Sequence, residues 1–235
     1  MRFDSALLEQ PPWSALTTTH SGFALGNGLA RRYVPDIAPM AAVREVSEAS
    51  LRALAAFMKP RDVVGLFNGN PVAACEDLVV TANKTVEQMV YQGSGTAPAT
   101  GEPVRLAVAD VPEMMQLAEL TKPGPFSART ILLGSYVGIR SEGRLVAMAG
   151  ERMRFQGFTE ISAVCTHPDH RGRGHSSRLV RTLMRNILDR GETPFLHVFS
   201  DNMRAAAIYS RLGFVRRRSL AVTVLTRTPE DRASP

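Results

Sequence analysis

The stretch THPDHRGRGHSSRLV, from Thr166 to Val180, has residues that could bind an anion: three histidines, three arginines and two glycines. Gly172 and Gly174 would let the backbone approach a ligand closely because they carry no Cβ. A helix-like apolar pattern follows at once, and the first turn of a helix has unpaired N–H groups at its positive end. The spacing predicts a strand, a loop and a helix start, with the N–H groups of Gly172 to Ser177 around a pyrophosphate. An ordinary turn in which glycine only relieves strain remains open on the local pattern.

Other uses of the same residues fit less well. Neither G-x-G-x-x-G nor G-x-x-x-x-G-K-[ST] is present, so the dinucleotide fold and the P-loop are not supported. Cys165, His167, His170 and His175 lie close together in the sequence. Their spacing matches no familiar zinc pattern, and we therefore expect no metal ion.

Composition narrows the class of protein. A chain of 235 residues, 44% hydrophobic and 21% charged, can bury one large core or two modest ones. The net charge of +6 suits either a nucleic acid or a polyanionic small ligand. Cys75 and Cys165 form no disulfide framework and suit a reducing compartment. With no apolar run of membrane-spanning length and no secretory start, we expect a cytoplasmic protein.

The chain is predicted to have two parts. The segment Gln92 to Pro103 mixes Gly, Ser, Thr, Ala and Pro without periodicity and is a candidate linker. We predict an N-terminal α/β domain of unclear role over 1–91, a second domain over 104–227 and a polar tail over 228–235.

Apolar periodicity assigns elements to both parts. Before the linker we predict a helix in LRALAAFMKP, ended by Pro60, and strands in DVVGLF and DLVVTAN. After it we predict helices in VPEMMQLAEL, from about Ser176 to Arg190 with Gly191 as C-cap, and in MRAAAIYSRLG. Strands are predicted in VRLAVAD, YVGIR, RLVAMAGERMRF, EISAVCT, FLHVF and LAVTVL.

Two blocks resemble those of the GNAT superfamily of N-acetyltransferases. The loop is similar to its acetyl-CoA signature [RQ]-x-x-G-x-[GA], although the last position is Ser176, a small residue where Gly or Ala is usual. The second block, DNMRAAAIYSRLGF, is similar to N-x-x-A-x-x-x-Y-x-x-x-G-F through Asn202, Ala205, Tyr209, Gly213 and Phe214.

The resemblance covers roughly Val104 to Arg227 and is closest to the branch with a glycine-acyltransferase-like C-terminal domain. It implies an α/β fold: a mixed, mostly antiparallel central sheet flanked by helices, whose fourth and fifth strands splay apart. The N-terminal α/β half is either a degenerate second copy of that fold or a cap that shapes the substrate site, and both remain open.

The resemblance also implies acetyl-CoA as acyl donor. The pantetheine arm would lie along β-strand residues, and the pyrophosphate would lie in the loop. Asn202 would hydrogen-bond the arm, cap the following helix, or do both, and Arg173, Arg178 and Arg181 are candidate phosphate partners. The predicted cofactor-binding residues are Val164, Cys165, Thr166, Arg171, Gly172, Arg173, Gly174, His175, Ser176, Ser177 and Asn202.

Acetyl transfer needs a neutral amine, an oxyanion donor and a proton for the leaving thiolate. The offset of Glu160 from the loop resembles that of the family's catalytic glutamate, so it is the predicted base, with Glu151 in reserve; an exposed strand-end carboxylate is the alternative. A backbone N–H near Val164 is the predicted oxyanion donor. Tyr209 is the predicted acid, with a core aromatic as its alternative.

The resulting hypothesis is an acyltransferase that moves an acetyl group from acetyl-CoA to a primary amine of a small molecule, amino acid or peptide by direct attack in a ternary complex. No nucleic acid or membrane partner is expected. Two alternatives remain: a basic nucleic-acid-binding protein that uses Arg216 to Arg218, and a GNAT fold that binds acyl-CoA without turnover.

Overall fold

The computed structural model describes residues 4–93 and 103–229. Most of the predicted linker Gln92–Pro103, and all but the first two residues of the tail 228–235, lie outside the described residues. The helices are α1 Pro11–Thr17, α2 Glu48–Ala55, α3 Val111–Thr121, α4 His175–Asp189 and α5 Met203–Arg211. The strands are β1 Ala24–Gly26, β2 Ala30–Tyr33, β3 Met40–Val43, β4 Val63–Asn68, β5 Leu78–Tyr91, β6 Val104–Arg105, β7 Tyr136–Ser141, β8 Arg144–Phe155, β9 Phe158–Thr166, β10 Thr193–Phe199 and β11 Phe214–Arg227.

The chain forms two compact units. The C-terminal unit comprises residues 36–38 and the described part of 87–218, and the N-terminal unit comprises the described parts of 2–35, 39–86 and 219–235. The long strands β5 and β11 contribute residues to both units. These units divide the chain at other positions than the predicted boundaries, and the assignment of domains stays a prediction.

The C-terminal unit contains a sheet with the strand order β11-β5-β10-β9-β8-β7-β6. The pairs β6–β7, β7–β8 and β8–β9 are antiparallel, whereas β10 is parallel to β9. The predicted fold class, a mixed and mostly antiparallel sheet flanked by helices, is confirmed.

Neighbouring residues of its strands pack on opposite faces, as the two-residue period of a strand requires. On one face, Val137 and Ile161 pack with the apolar side of α4. On the other face, Tyr136 and Met148 pack with the apolar side of α3. The residues that α4 buries are Leu179, Val180, Leu183, Met184 and Ile187, and those that α3 buries are Val111, Met114, Leu117 and Ala118.

Helix α4 lies almost where its apolar period predicts it. Gly174 precedes it with φ of +75°, and Gly191 follows its C-cap residue, Arg190, with φ of +74°. Residues with a Cβ rarely adopt this left-handed region, so glycine at both ends lets the chain turn into and out of the helix.

The predicted strands VRLAVAD and LAVTVL differ from the structure in their bounds. Only Val104–Arg105 of VRLAVAD is a strand, and a 3-10 turn, Val108–Asp110, follows it. The Asp110 carboxylate accepts a hydrogen bond from the Ala107 N–H at 2.8 Å, which turns the chain and ends the strand. Strand β11 begins at Phe214, earlier than predicted, so the basic run Arg216 to Arg218 lies in a strand.

The N-terminal unit contains the strand order β1-β2-β3-β4-β11-β5. Strands β3 and β4 are parallel, and β4 and β11 are antiparallel. Leu51 and Leu54 of α2 pack with Val43 and Leu66 of the sheet. The sequence patterns missed β1, β2, β3 and α1, and whether this unit derives from a second copy of the fold stays open.

Candidate active site

The loop between β9 and α4 has the geometry that an anion site needs. Gly172 and Gly174 have φ of +79° and +75°, in the left-handed region that favours glycine. An added Cβ at either glycine would meet nothing within 4 Å, so the space beside both is open. The N-cap residue of α4 is Gly174, which has no side chain to accept from the N–H groups of the first turn, so these groups can bind another partner.

Positive charge surrounds this loop. Arg171 and Arg173 are exposed, and among the described residues their guanidinium groups donate to the backbone carbonyls of Thr166 and Asp169, at 3.4 and 3.5 Å. Burial lowers the pKa of His175, and the neighbouring cations, Arg178 first, lower it further. The Nδ1 atoms of His170 and His175 are buried and have no hydrogen-bond partner within the described part of the chain. The loop therefore fits a polyanionic group such as a pyrophosphate.

Strands β9 and β10 form a fork. Their register pairs Thr193–Phe195 with Phe158–Glu160, and the described strands diverge beyond that point. The N–H of His167 points to β8, where it donates to the Val146 carbonyl at 2.8 Å. Because N–H directions alternate along a strand, the N–H of Val164 points to the opposite edge, into the opening of the fork.

A β-bulge adjoins this opening. Ala163 has φ of +53°, and the register between β8 and β9 shifts between Met148 and Gly150. A bulge of this kind bends the strand and redirects the groups that follow it. The backbone that carries the Val164 N–H is thus set apart from the regular ladder.

Tyr209, the predicted acid, lies on α5 and is 9% exposed. Its ring makes an edge contact with Phe214 at 6.2 Å between centroids, so it is a core aromatic. Burial raises the pKa of its phenol to about 12, and Cys165 on β9 lies close enough to raise it further. The phenol therefore stays protonated at neutral pH and near the fork, as a proton donor requires. The thiol of Cys165 is also neutral, because burial raises its pKa to about 11.

Glu160, the predicted base, is fully buried at the last position of β9 that pairs with β10. Its Oε2 accepts from Arg152 Nε at 2.7 Å, and its Oε1 accepts from Arg152 Nη2 at 2.6 Å and from His197 Nδ1 at 2.8 Å. Burial acts to raise the pKa of Glu160, but the charge of Arg152 and the hydrogen bonds from Arg152 and His197 outweigh it and hold the pKa at about 2. The base role stays a prediction, and these contacts favour a buried Arg152–Glu160 ion pair to which His197 adds a hydrogen bond.

Glu151, the reserve candidate for the base, lies on the opposite face of the sheet from Glu160. It pairs with Ile161, the neighbour of Glu160, so the two carboxylates point to opposite faces. Its oxygens accept from the Ser135 N–H at 3.2 Å and from Arg190 Nη2 at 2.9 Å. Arg190 is the C-cap residue of α4, which ties Glu151 to the far end of that helix.

Asn202 is the N-cap of α5, where its side-chain oxygen accepts from the Ala205 N–H at 3.1 Å. Its predicted contact with the pantetheine arm stays a prediction. Sequence patterns missed Arg152, His197 and Gln88, which meet Glu160 directly or through one another. The only signal was a histidine inside the apolar strand FLHVF.

Comparisons with known proteins agree with this fold. The family model for FR47-like proteins matches residues 136–222. The N-alpha-acetyltransferase RimI of Mycobacterium tuberculosis is 35% identical over 132 residues, which cover 50% of this chain and 82% of that protein. This chain therefore belongs to the GNAT superfamily of N-acetyltransferases.

Solved structures extend the likeness to the whole chain. A GNAT-family protein from Novosphingobium aromaticivorans is 37% identical, with a TM-score of 0.89, over 94% of this chain and 99% of that one. A GCN5-related N-acetyltransferase from Kribbella flavida is 17% identical, with a TM-score of 0.61, over 97% of this chain and 95% of that one. The second likeness shows the fold alone.

None of the described helices combines the length and hydrophobicity of a membrane-spanning segment. Within the ranges 4–93 and 103–229, no group of three His, Cys, Asp or Glu side chains is arranged to hold a metal ion.

Proposed function

We propose that this protein transfers an acetyl group from acetyl-CoA to a primary amine of a small molecule, amino acid or peptide, by direct attack in a ternary complex. The observation that supports the proposal is the fork: N–H alternation directs the Val164 N–H into its opening, α4 starts shortly after β9 with Gly174 as N-cap, and the neutral phenol of Tyr209 lies near Cys165 of β9. The name of the RimI relative, an N-alpha-acetyltransferase, favours the amino terminus of a peptide as the acceptor.

Acetyl-CoA would bind along the open edge of β9 and at the loop. Residues 164–166 offer main-chain groups to the amides of the pantetheine arm, and residues 171–177 surround the pyrophosphate with N–H groups and arginine side chains. Bound acetyl-CoA supplies the activated thioester. In this arrangement its carbonyl lies in the opening of the fork.

Acetyl transfer then needs two protein groups, an oxyanion donor and a proton donor for the thiolate. The amine nitrogen forms a bond to the thioester carbon, and the Val164 N–H stabilises the oxyanion that develops. As the carbon–sulfur bond breaks, Tyr209 gives its proton to the thiolate, and solvent later restores it. We propose that the amine loses its proton to solvent, because a carboxylate with a pKa of about 2 is a weak proton acceptor. Glu160 would then act by holding the fork together.

The nucleic-acid alternative has less support. Arg216 pairs with Glu87, and Arg217 donates to the side-chain oxygen Oε1 of Gln88 at 3.1 Å. Two members of the basic run therefore already have partners in the sheet. The two cysteines, Cys75 and Cys165, are both free thiols, and we propose a cytoplasmic location on that ground.

A binding experiment tests the donor site. We expect acetyl-CoA to raise the melting temperature, because a ligand that binds only the folded state stabilises it. Gly174→Val should abolish the shift, since its side chain would occupy the open space beside the loop. Gly191→Val is the matched control, because Gly191 has nearly the same φ at the other end of α4 and also faces open space.

Both variants should lose similar stability from backbone strain, but only Gly174→Val should lose the response to acetyl-CoA. An equal response in the two variants would contradict the loop assignment. Retention on heparin with no response to acetyl-CoA in the wild type would favour the nucleic-acid alternative.

A further inference from the structure

A chain of hydrogen-bonded side chains, buried in its middle and partly exposed at its two arginines, crosses five strands of the C-terminal unit at the base of the fork. It begins with Arg152 on β8 and continues through Glu160 on β9, His197 on β10 and Gln88 on β5 to Arg217 on β11. Glu160 and Gln88 are fully buried, and the His197 side chain is 2% exposed.

From Arg217 to Glu160 the hydrogen bonds of this chain run in one direction, and Arg152 donates to Glu160 from the other end. Arg217 Nη1 donates to Gln88 Oε1, which identifies the other amide atom of Gln88 as its NH₂ group. That group lies 3.3 Å from His197 Nε2, so the imidazole nitrogen must be the acceptor. The proton of the neutral ring is then on Nδ1, which donates to Glu160 Oε1 at 2.8 Å. Gln88 thus selects the tautomer that lets His197 bind Glu160.

The Glu160–His197 bond lies where the backbone pairing of the fork stops. Phe195 and Glu160 are the last paired residues of β10 and β9, and His197 is two residues further along β10. The side chain of His197 therefore reaches back across the opening and joins the two strands after their main-chain bonds have ended. The titratable and charged groups around this bond include Arg152 and the phenol of Tyr136, which lie near Glu160, and Arg217, which lies beyond Gln88.

We infer that His197 is a positioning residue for acetyl transfer: its bond to Glu160 sets the width of the fork and so the position of the Val164 N–H relative to the thioester. This inference rests on the proposed function. The pyrophosphate loop lies after β9 and contributes no member to the chain, so a change at His197 should lower acetyl-CoA affinity much less than it lowers the rate of transfer. The oxyanion donor would be displaced, and displacement of about 1 Å can cost roughly 100-fold in rate.

Three variants test this role. His197→Leu removes the donor to Glu160, and His197→Asn keeps it, because the Asn side-chain NH₂ can take the place of Nδ1–H. Thr223→Val, which removes a fully buried hydroxyl in the N-terminal unit, controls for a general loss of stability. We expect kcat to fall roughly 10- to 100-fold in His197→Leu. The Kd for acetyl-CoA should change less than about 3-fold, and His197→Asn and Thr223→Val should keep kcat within about 3-fold of the wild type.

A second measurement, amide hydrogen exchange, tests the role of His197 without depending on catalytic activity. Amide hydrogen exchange of residues 196–199 and 164–166 should accelerate in His197→Leu but not in His197→Asn, because the strands of the fork are no longer joined. If the wild type transfers no acetyl group, the proposed function fails, and exchange still decides whether His197 holds the fork. Wild-type kcat in His197→Leu, or unchanged exchange in that variant, would overturn the inference.

Discussion

Replacing Glu160 with Gln should destabilise the folded protein markedly at neutral pH. A carboxyl whose pKa falls from 4.5 to about 2 on folding stabilises the folded state by roughly 3 kcal/mol, at about 1.36 kcal/mol per pKa unit. The side-chain amide of the Glu160→Gln variant would also set an NH₂ group against the N–H donors of Arg152 or His197, and breaking a buried ion pair on one side typically costs about 3–5 kcal/mol. We therefore expect a loss of roughly 3 kcal/mol, or about 6–12 °C in melting temperature for a chain of this size.

The difference in unfolding free energy between wild type and Glu160→Gln should depend on pH in a predictable direction. Because the folded-state pKa is lowered, the stabilisation is complete above about pH 4.5 and is lost as the pH falls towards 2. The difference between wild type and Glu160→Gln, measured by urea unfolding, should thus be large at pH 7 and shrink below about pH 4.5. Glu119→Gln, which changes an exposed carboxylate on α3, should show little difference at either pH. A Glu160→Gln variant as stable as the wild type at pH 7 would refute the stabilising role of the Arg152–Glu160 ion pair.

Three further outcomes concern the site. Tyr209→Phe should keep acetyl-CoA affinity and stability but lower kcat roughly 10²- to 10⁴-fold; wild-type turnover would show that Tyr209 only packs. If Glu160 is the base, turnover of Glu160→Gln should fall most at low pH and partly return as the pH rises, whereas a positioning role predicts a similar loss in kcat across the pH profile. Asn202→Ala should cost about 0.5–2 kcal/mol by urea unfolding through loss of the α5 cap, and unchanged stability would argue against that cap.

Local patterns were enough to predict the elements around the candidate site. The apolar period of α4 and the glycines on either side of it placed the helix within one or two residues. The VRLAVAD segment shows the limit: its alternation predicts a strand, but Asp110 bonds back to Ala107 and turns the chain. Strands as short as β1 leave too few residues for a period to be recognised.

Local sequence patterns could not predict the side-chain contacts at the fork. Gln88 and His197 are 109 residues apart in the sequence, and Arg217 and Gln88 are 129 apart. No spacing rule connects such positions, because strand order and register bring them together. The family resemblance placed Glu160 at the fork, but only the three-dimensional partners of its carboxylate show that both oxygens are already hydrogen-bonded.

The most direct test of the account is transfer of a labelled acetyl group. The wild-type protein would be incubated with acetyl-CoA labelled in its acetyl group and a panel of peptides, amino acids and small amines, and both free CoA and labelled product would be quantified. The account predicts that label appears in an amine as an amide, in a one-to-one ratio with released CoA and at a rate that depends on Tyr209. Acetyl-CoA that binds at the loop, yet yields no labelled amide with any acceptor class of the panel, would contradict it and favour a fold that binds acyl-CoA without turnover.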